Sequence, residues 1–326
     1  MSEFRLIDRY FTAATTPRAD VVVGIGDDAA ILQPPAGQQM VVATDTLVAG
    51  VHFPLDTTAE AIGYKALAVN LSDLAAMGAT PAWALLALTL PEQAPQWLTG
   101  FMAGFSSLAE QFNVALVGGD TTRGPLTITV QIIGHVPAGA ALTRGGARSG
   151  DRIFVTGKLG DAALALHALS DGGCGQEDLK ADFRERLDFP TPRIAAGTLL
   201  RSKASSAIDV SDGLIADLGH ILTASGVGAR VVRDRIPRSE RFLACLSAGG
   251  VDAQTGWQIA LAGGDDYELC FTIPEKDGDE MLGRDWSVCN GITEIGVITA
   301  EKGLQLVDLA GQPVPFVNTG GYDHFS

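Results

Sequence analysis

Residues 69–81, VNLSDLAAMGATP, constrain the fold most, because they set one carboxylate, Asp73, inside an apolar helical pattern. Ile62, Ala66, Val69, Asp73 and Ala76 follow one another at spacings of four, three, four and three, which stacks them on one helix face. Asp73 therefore points where its apolar neighbours point. An ionised carboxylate there costs on the order of several kcal/mol unless a cation or a set of hydrogen bonds compensates it. A positive group is expected beside it. The alternative is that Asp73 caps a backbone amide after a helix break near Asn70.

The chain has 326 residues, of which 46% are hydrophobic, enough for two cores, and residues 141–151, ALTRGGARSGD, have the Gly- and Arg-rich look of an interdomain hinge. A net charge of −15 argues against nucleic acid as a partner, since no basic stripe is present to release its counterions. Acidic chains still bind phosphates through metals. Cys174, Cys245, Cys270 and Cys289 form no CxxC pair, so reduced thiols and a cytoplasmic location are expected. No apolar run approaches the ~18 residues of a membrane span, and none is expected.

Strand and helix patterns alternate along both halves. Residues 21–23 form a short strand that ends in GIGDDAA. The GxGxxA spacing there matches a dinucleotide-binding turn, with Asp45 near the distance of a ribose contact. Two features reject it: Pro34 and Pro35 stop any helix within a turn, and Asp27 and Asp28 repel phosphates. Residues 40–45 read as a strand that delivers Thr44 and Asp45 at its end, followed by a loop with His52. A lone histidine is more often satisfied by its neighbours than functional. Residues 114–117 read as a strand that ends in Gly118–Gly119, where the missing side chains let a backbone approach a ligand while Asp120 projects.

In the second half, GDRIFVTGK resembles a phosphate loop, but six residues separate its glycines and Leu159 stands where Ser or Thr is required. Residues 171–188 are polar and loosely patterned. Residues 207–210 form a strand running into DVSDG, with Asp209 and Ser211 on one face and Asp212 turned outward, and an amphipathic helix covers 214–225. GGDDYEL is a second Gly-Gly-Asp element, and GYDHF closes the sequence.

Asp27, Asp28, Asp45, Asp73, Asp120, Asp209 and Asp212 thus lie at strand ends, on glycine turns or in the apolar helix, rather than beside Lys or Arg on exposed faces. Hard oxygen donors without clustered Cys or His select Mg²⁺ or Ca²⁺, and magnesium is the ion that bridges substrate phosphates. A metal–polyphosphate site is the expectation, with Arg144 as one fixed charge.

GIGDDAA, TDTLVAGVHF, YKALAVNLSDLAAMGATP, GGDTTRGPL, LTRGGARSGD, AIDVSDGLIADLGHI, GGDDYELCF and GYDHF, in this order, closely resemble the thiamine-monophosphate kinase family, within the aminoimidazole-ribonucleotide-synthetase-like superfamily of ATP-using enzymes. The resemblance implies a two-domain α+β fold. Residues 1–138 would be the metal- and ATP-binding domain that pairs in a homodimer, and 139–326 an α/β-sandwich domain completing the nucleotide and substrate site. It implies magnesium at Asp28, Thr44, Asp45, Asp73, Asp120, Asp209 and Asp212. ATP contacts would fall on Gly119, Asp120, Arg144 and Ser211. Substrate contacts would fall on His52, Asp265 and Tyr322, where Asp265 replaces the family's usual Glu.

The implied reaction is ATP plus thiamine monophosphate giving ADP plus thiamine diphosphate, by direct in-line transfer without a catalytic base. The competing readings are an aminoimidazole-ribonucleotide synthetase and a magnesium–nucleotide sensor that binds without turnover. A selenophosphate synthetase would want a reactive cysteine near the N-terminus, whereas the first here is Cys174.

Overall fold

A computed structural model describes residues 7–12, 15–92, 94–171 and 177–315. Tyr322 lies outside them. The chain divides into two units, one made of residues up to Leu74 with Ala79–Ala141, the other of Ala75–Gly78 with the residues from Leu142 onward.

The first unit is built on a sheet ordered β3-β6-β4-β5, from β3 (Gln38–Val48), β4 (Thr80–Leu90), β5 (Ala115–Arg123) and β6 (Thr127–Pro137). A small ribbon, β1 (Val21–Val23) with β2 (Ile31–Leu32), flanks the glycine loop 24–30. Along β6 every second residue is buried from Ile128 to Val136, the alternation of a strand with one core face. That face is covered by helices. Helix α1 (Ala59–Ala76) is buried on nearly every side, with Leu67, Ala68, Leu71, Leu74 and Ala75 all fully enclosed. It runs unbroken through Asn70, whose side-chain amide donates to the Ala66 carbonyl, so the helix break that Asp73 would have capped is absent.

Helix α2 (Pro95–Gln111) approaches α1 backbone to backbone. A Cβ on Gly63 would stand 1.9 Å from the Phe101 carbonyl oxygen, and one on Gly104 would stand 1.9 Å from that of Glu60. Trp83 is fully buried, with its indole N–H donating to Asp20 and the Arg18 guanidinium over its ring.

The second unit holds a mixed sheet of six strands ordered β12-β9-β11-β7-β10-β8. These are β7 (Arg152–Thr156), β8 (Ser206–Val210), β9 (Gly228–Val232), β10 (Glu268–Ile273), β11 (Ile292–Thr299) and β12 (Gly303–Val307). The helices are α3 (Asp161–Asp171), α4 (Glu177–Asp188), α5 (Ile194–Leu200), α6 (Leu214–Ser225), α7 (Glu240–Ser247), α8 (Ala253–Ala262) and α9 (Gly278–Leu282). The polar stretch read as loosely patterned thus contains α4. Leu214, Leu218, Ile221 and Leu222 of α6 enter the core with Ile208, Val210, Ile153 and Val155, a helical stripe packed on a strand layer.

Glu268, fully buried, is held by Arg193 and by the Thr156 hydroxyl at 2.6 Å. The three groups satisfy one another where no water reaches. Cys245 is disulfide-bonded, against the expectation of four reduced thiols, while Cys270 and Cys289 are free and buried.

Candidate functional site

Strand register places the first set of candidate ligands. Thr44 pairs with Gln131, while Ala87 pairs with both Thr129 and Asp120, so Thr44 and Asp120 share the sheet face opposite the helices. This face forms the floor of a cleft of about 940 Å³, walled by Asp27 and Asp28 of the glycine loop and by Ile7 and Phe11. Asp28, Thr44 and Asp120 are all exposed to it. Its volume suits a nucleotide-sized ligand. The loop 24–30 forms no helix, in agreement with rejecting the dinucleotide turn.

Two strand boundaries differ from expectation. Strand β3 continues to Val48 and β5 to Arg123, so Asp45 and Asp120 stand within strands rather than at their ends. Asp120 still meets solvent because Gly119 precedes it: a Cβ there would lie 1.9 Å from the Leu86 carbonyl oxygen, so only glycine allows β5 to close on β4. The Asp120 carboxylate accepts the Thr121 amide, and that of Asp27 accepts the Asp28 amide.

Asp45 and Asp73 do not join the cleft. Asp45 pairs with Val130 and so points to the helix-covered face, where its carboxyl hydrogen-bonds the half-buried Asp73. Burial pushes the Asp45 carboxyl above its ordinary range, and the bond from Asp73 offsets part of that. The carboxyl–carboxyl bond is the contact found beside Asp73, where the sequence pattern called for a positive group. His52 is also fixed locally, for its Nδ1 accepts the Val48 amide at 3.0 Å and it does not line the cleft.

In the second unit Asp209 is buried on β8, and Ser211 and Asp212 occupy the turn into α6. The backbone of this turn donates to Asp217 at 3.0–3.1 Å. Burial first, then the charges of Asp209 and Asp212, push Asp217 up to about 7. The Ser211 carbonyl accepts the Asp265 amide at 2.9 Å, and the Tyr267 hydroxyl donates to the Asp265 carboxylate at 2.9 Å. Asp265 and Tyr267 have φ of 67° and 50°, left-handed conformations that cost a non-glycine residue energy. The loop from GGDDYEL is therefore strained against the loop from DVSDG.

Arg144 is exposed, and its guanidinium has no hydrogen-bond partner among the described residues. Its loop is pinned through the Ser225 hydroxyl, which accepts the Gly146 and Ala147 amides and donates to the Arg144 carbonyl. The rejected phosphate loop does precede a helix, α3, but the Gly160 amide at that helix start is occupied by the buried Asp266. Asp217 and Tyr267 escaped the sequence reading; an acid in the first turn of a glycine-started helix was the available signal for the former.

All the candidate donors are oxygens, a set that fits magnesium rather than zinc. Among the described residues no three His, Cys, Asp or Glu side chains stand close enough together to hold one metal ion. No helix among them is long and apolar enough to cross a membrane.

Comparison with known proteins bears on this arrangement. Residues 26–136 match the family model of the AIR synthase related protein, N-terminal domain, and residues 148–308 that of its C-terminal domain. Thiamine-monophosphate kinase of Salmonella typhimurium is 48% identical over 99% of this chain and 98% of its own length. That of Bacillus subtilis is 34% identical, with both chains covered completely. The crystal structure of thiamine-monophosphate kinase from Stenotrophomonas maltophilia K279a superimposes with a TM-score of 0.86 at 47% identity, covering 96% of this chain and 98% of that one. AaThiL complexed with AMPPCP and TMP superimposes with a TM-score of 0.78 at 31% identity, covering 99% and 97%.

Proposed function

The chain belongs to the thiamine-monophosphate kinase family, built from the two AIR synthase related domains, and on that premise we propose that it makes thiamine diphosphate from ATP and thiamine monophosphate. The observation that carries the reading is the relative that holds an ATP analogue together with TMP, aligned over nearly the whole of this chain. The acidic cleft of the first unit supplies the matching chemistry.

The acceptor is a phosphate oxygen whose second pKa is ~6, so it is already ionised near neutrality and needs no base. It attacks the γ-phosphorus of ATP in line. The new O–P bond forms as the bond from the γ-phosphorus to the β–γ bridging oxygen breaks, and that electron pair leaves with ADP. Repulsion between two polyanions opposes the reaction, so positioning and charge neutralisation carry the catalysis.

Asp28, Thr44, Asp45, Asp73, Asp120, Asp209 and Asp212 would hold magnesium, which would supply charge neutralisation for the phosphates. Gly119 admits the nucleotide close to the β5 backbone, Ser211 and Arg144 contact it, and the exposed Arg144 guanidinium pairs with a phosphate. His52, Asp265 and Tyr322 would contact the substrate, whose thiazolium cation suits acidic and aromatic groups. Residues 1–138 bind metal and nucleotide and pair in a homodimer, residues 139–326 complete the site, and the enzyme works in the cytoplasm.

Incubation with γ-labelled ATP and magnesium tests the reading. Labelled thiamine diphosphate is expected from the monophosphate, with no label left on the protein when the acceptor is omitted. Product from free thiamine but none from the monophosphate would refute it. Nucleotide binding without any product would favour the sensor reading.

A further inference from the structure

The turn between β8 and α6 carries Ser211 and Asp212, two residues beyond Asp209 at its nearer end. Three consecutive amides of this turn, those of Ser211, Asp212 and Gly213, all donate to one atom, Asp217 Oδ2, at 3.0, 3.1 and 3.1 Å. Successive amides aimed at one point form a concave nest suited to an anion. A ligand often fills such a nest; here a carboxylate from the first turn of the following helix fills it, at 2% exposure.

The rest of the turn is fixed by close packing. Gly213 has φ of 116°, and a Cβ on it would lie 2.7 Å from the Ala262 carbonyl carbon. A Cβ on Gly264 would lie 2.3 Å from the Ser211 carbonyl oxygen, the same oxygen that accepts the Asp265 amide. The turn is therefore gripped by Asp217 on its amide side and by the 263–265 backbone on its carbonyl side. Removing either grip leaves Asp209, Ser211 and Asp212 on a loop with fewer fixed points.

We infer that Asp217 is a positioning residue: it touches neither metal nor substrate, and by gathering the 211–213 amides it presets Asp209 and Asp212 for a divalent cation. The inference rests on the reading of those two aspartates as magnesium ligands. Asp217 would then stand to the cation as the partners behind a ligand commonly do, where substitution weakens metal binding without removing a donor.

The test uses the full chain with magnesium chloride and AMPPCP, read by calorimetry and by amide hydrogen exchange at residues 211–213. Asp217→Ala removes the acceptor, and roughly hundredfold weaker magnesium binding with faster exchange of the three amides is expected. Asp217→Asn keeps an acceptor oxygen without the charge, so a loss of roughly tenfold with intermediate exchange is expected. Should the alanine variant not fold, the asparagine variant decides on the same two readouts.

Weaker magnesium binding with unchanged exchange would mean that Asp217 acts only through its charge, and would overturn the inference. A lowered melting temperature with unchanged magnesium affinity would mean a structural role only, and would overturn it too. Asp212→Asn is measured alongside. If it leaves magnesium binding untouched, the metal reading fails and the inference falls with it; if it weakens binding while the Asp217 variants do not, the inference alone fails.

Discussion

The Asp45–Asp73 pair of the first unit and Asp217 of the second are both acids in poorly solvated surroundings, settled in different ways. Asp45 and Asp73 hydrogen-bond each other, and burial raises the Asp45 carboxyl, whereas Asp217 leans on three backbone amides. A bond between two side chains can be exchanged for a bond to a cation. Amides of a strained glycine turn are part of the chain and stay where they are. On the proposed reading the first arrangement is where a metal enters, and the second is held by the chain's own backbone.

The largest effect is expected at Asp120, which is exposed on the cleft and whose bond from the Thr121 amide an Asn oxygen can keep. Asp120→Asn should cut turnover about a thousandfold, the upper scale for losing one group that faces developing charge. The metal-free melting temperature should stay at the wild-type value. A fall of less than tenfold in a steady-state assay would take Asp120 out of the chemistry and erase the contrast between a working cleft and its supports.

Asp73→Asn comes next and separates a metal-binding pair from a merely structural one. The metal-free variant should melt at or above the wild-type temperature, because an Asn side chain can keep the hydrogen bond to Asp45 while one ionisable group leaves a poorly solvated place. Stabilisation by magnesium with ATP should largely disappear, and turnover should fall about a hundredfold. A variant that is destabilised yet fully active would show that the pair belongs to the fold alone.

The smallest effect concerns an acid that neither arrangement uses. Burial holds the Asp266 carboxyl well above the ordinary carboxylate range, only partly offset by the Gly160 amide, so as pH rises the folded state gives up this proton later than the unfolded state does. Its contribution to stability is therefore complete below about pH 4, the unfolded value, and is lost as pH rises through the raised folded value. Chemical denaturation of the metal-free protein from pH 4 upward should show that decline, at most about 1.4 kcal/mol per pH unit for one proton. Asp266→Asn should flatten it; an unchanged slope would assign the decline to other acids.

Much of this was legible in the sequence because glycine and aspartate are informative at short range. GIGDDAA, GGD and DVSDG mark turns and close approaches whatever the rest of the chain does, and Asp28, Asp120, Ser211 and Asp212 were all singled out through them. The helical stripe of 214–225 was equally plain, since its apolar residues keep one period and pack on one layer. The errors arise where tertiary contacts decide. Strands β3 and β5 run past the point where their composition turns polar, because β6 and β4 pair with them to the end. Helix α1 read as an apolar, buried helix and is one, although a period in sequence could not report what covers each of its faces. Asp45 and Asp73 looked like ligands awaiting a cation, and no local signal foretold that each would find the other first.

The crossing of α1 and α2 bears on how the first unit can respond to a ligand. At Gly63 and Gly104 peptide rests on peptide, with no side chain between to bend or change rotamer. An α-helix rises about 1.5 Å per residue, so the contact at Gly63 lies only about 15 Å along a stiff rod from Asp73. A displacement at one is a displacement at the other. A methyl group added at Gly63 would push the two helices apart and carry Asp73 away from Asp45 with no change in the site's own residues. The rod also has little slack for an opening motion, whereas Gly26, Asp27, Asp28 and Ala29 on the cleft wall are exposed and lie in no helix or long strand.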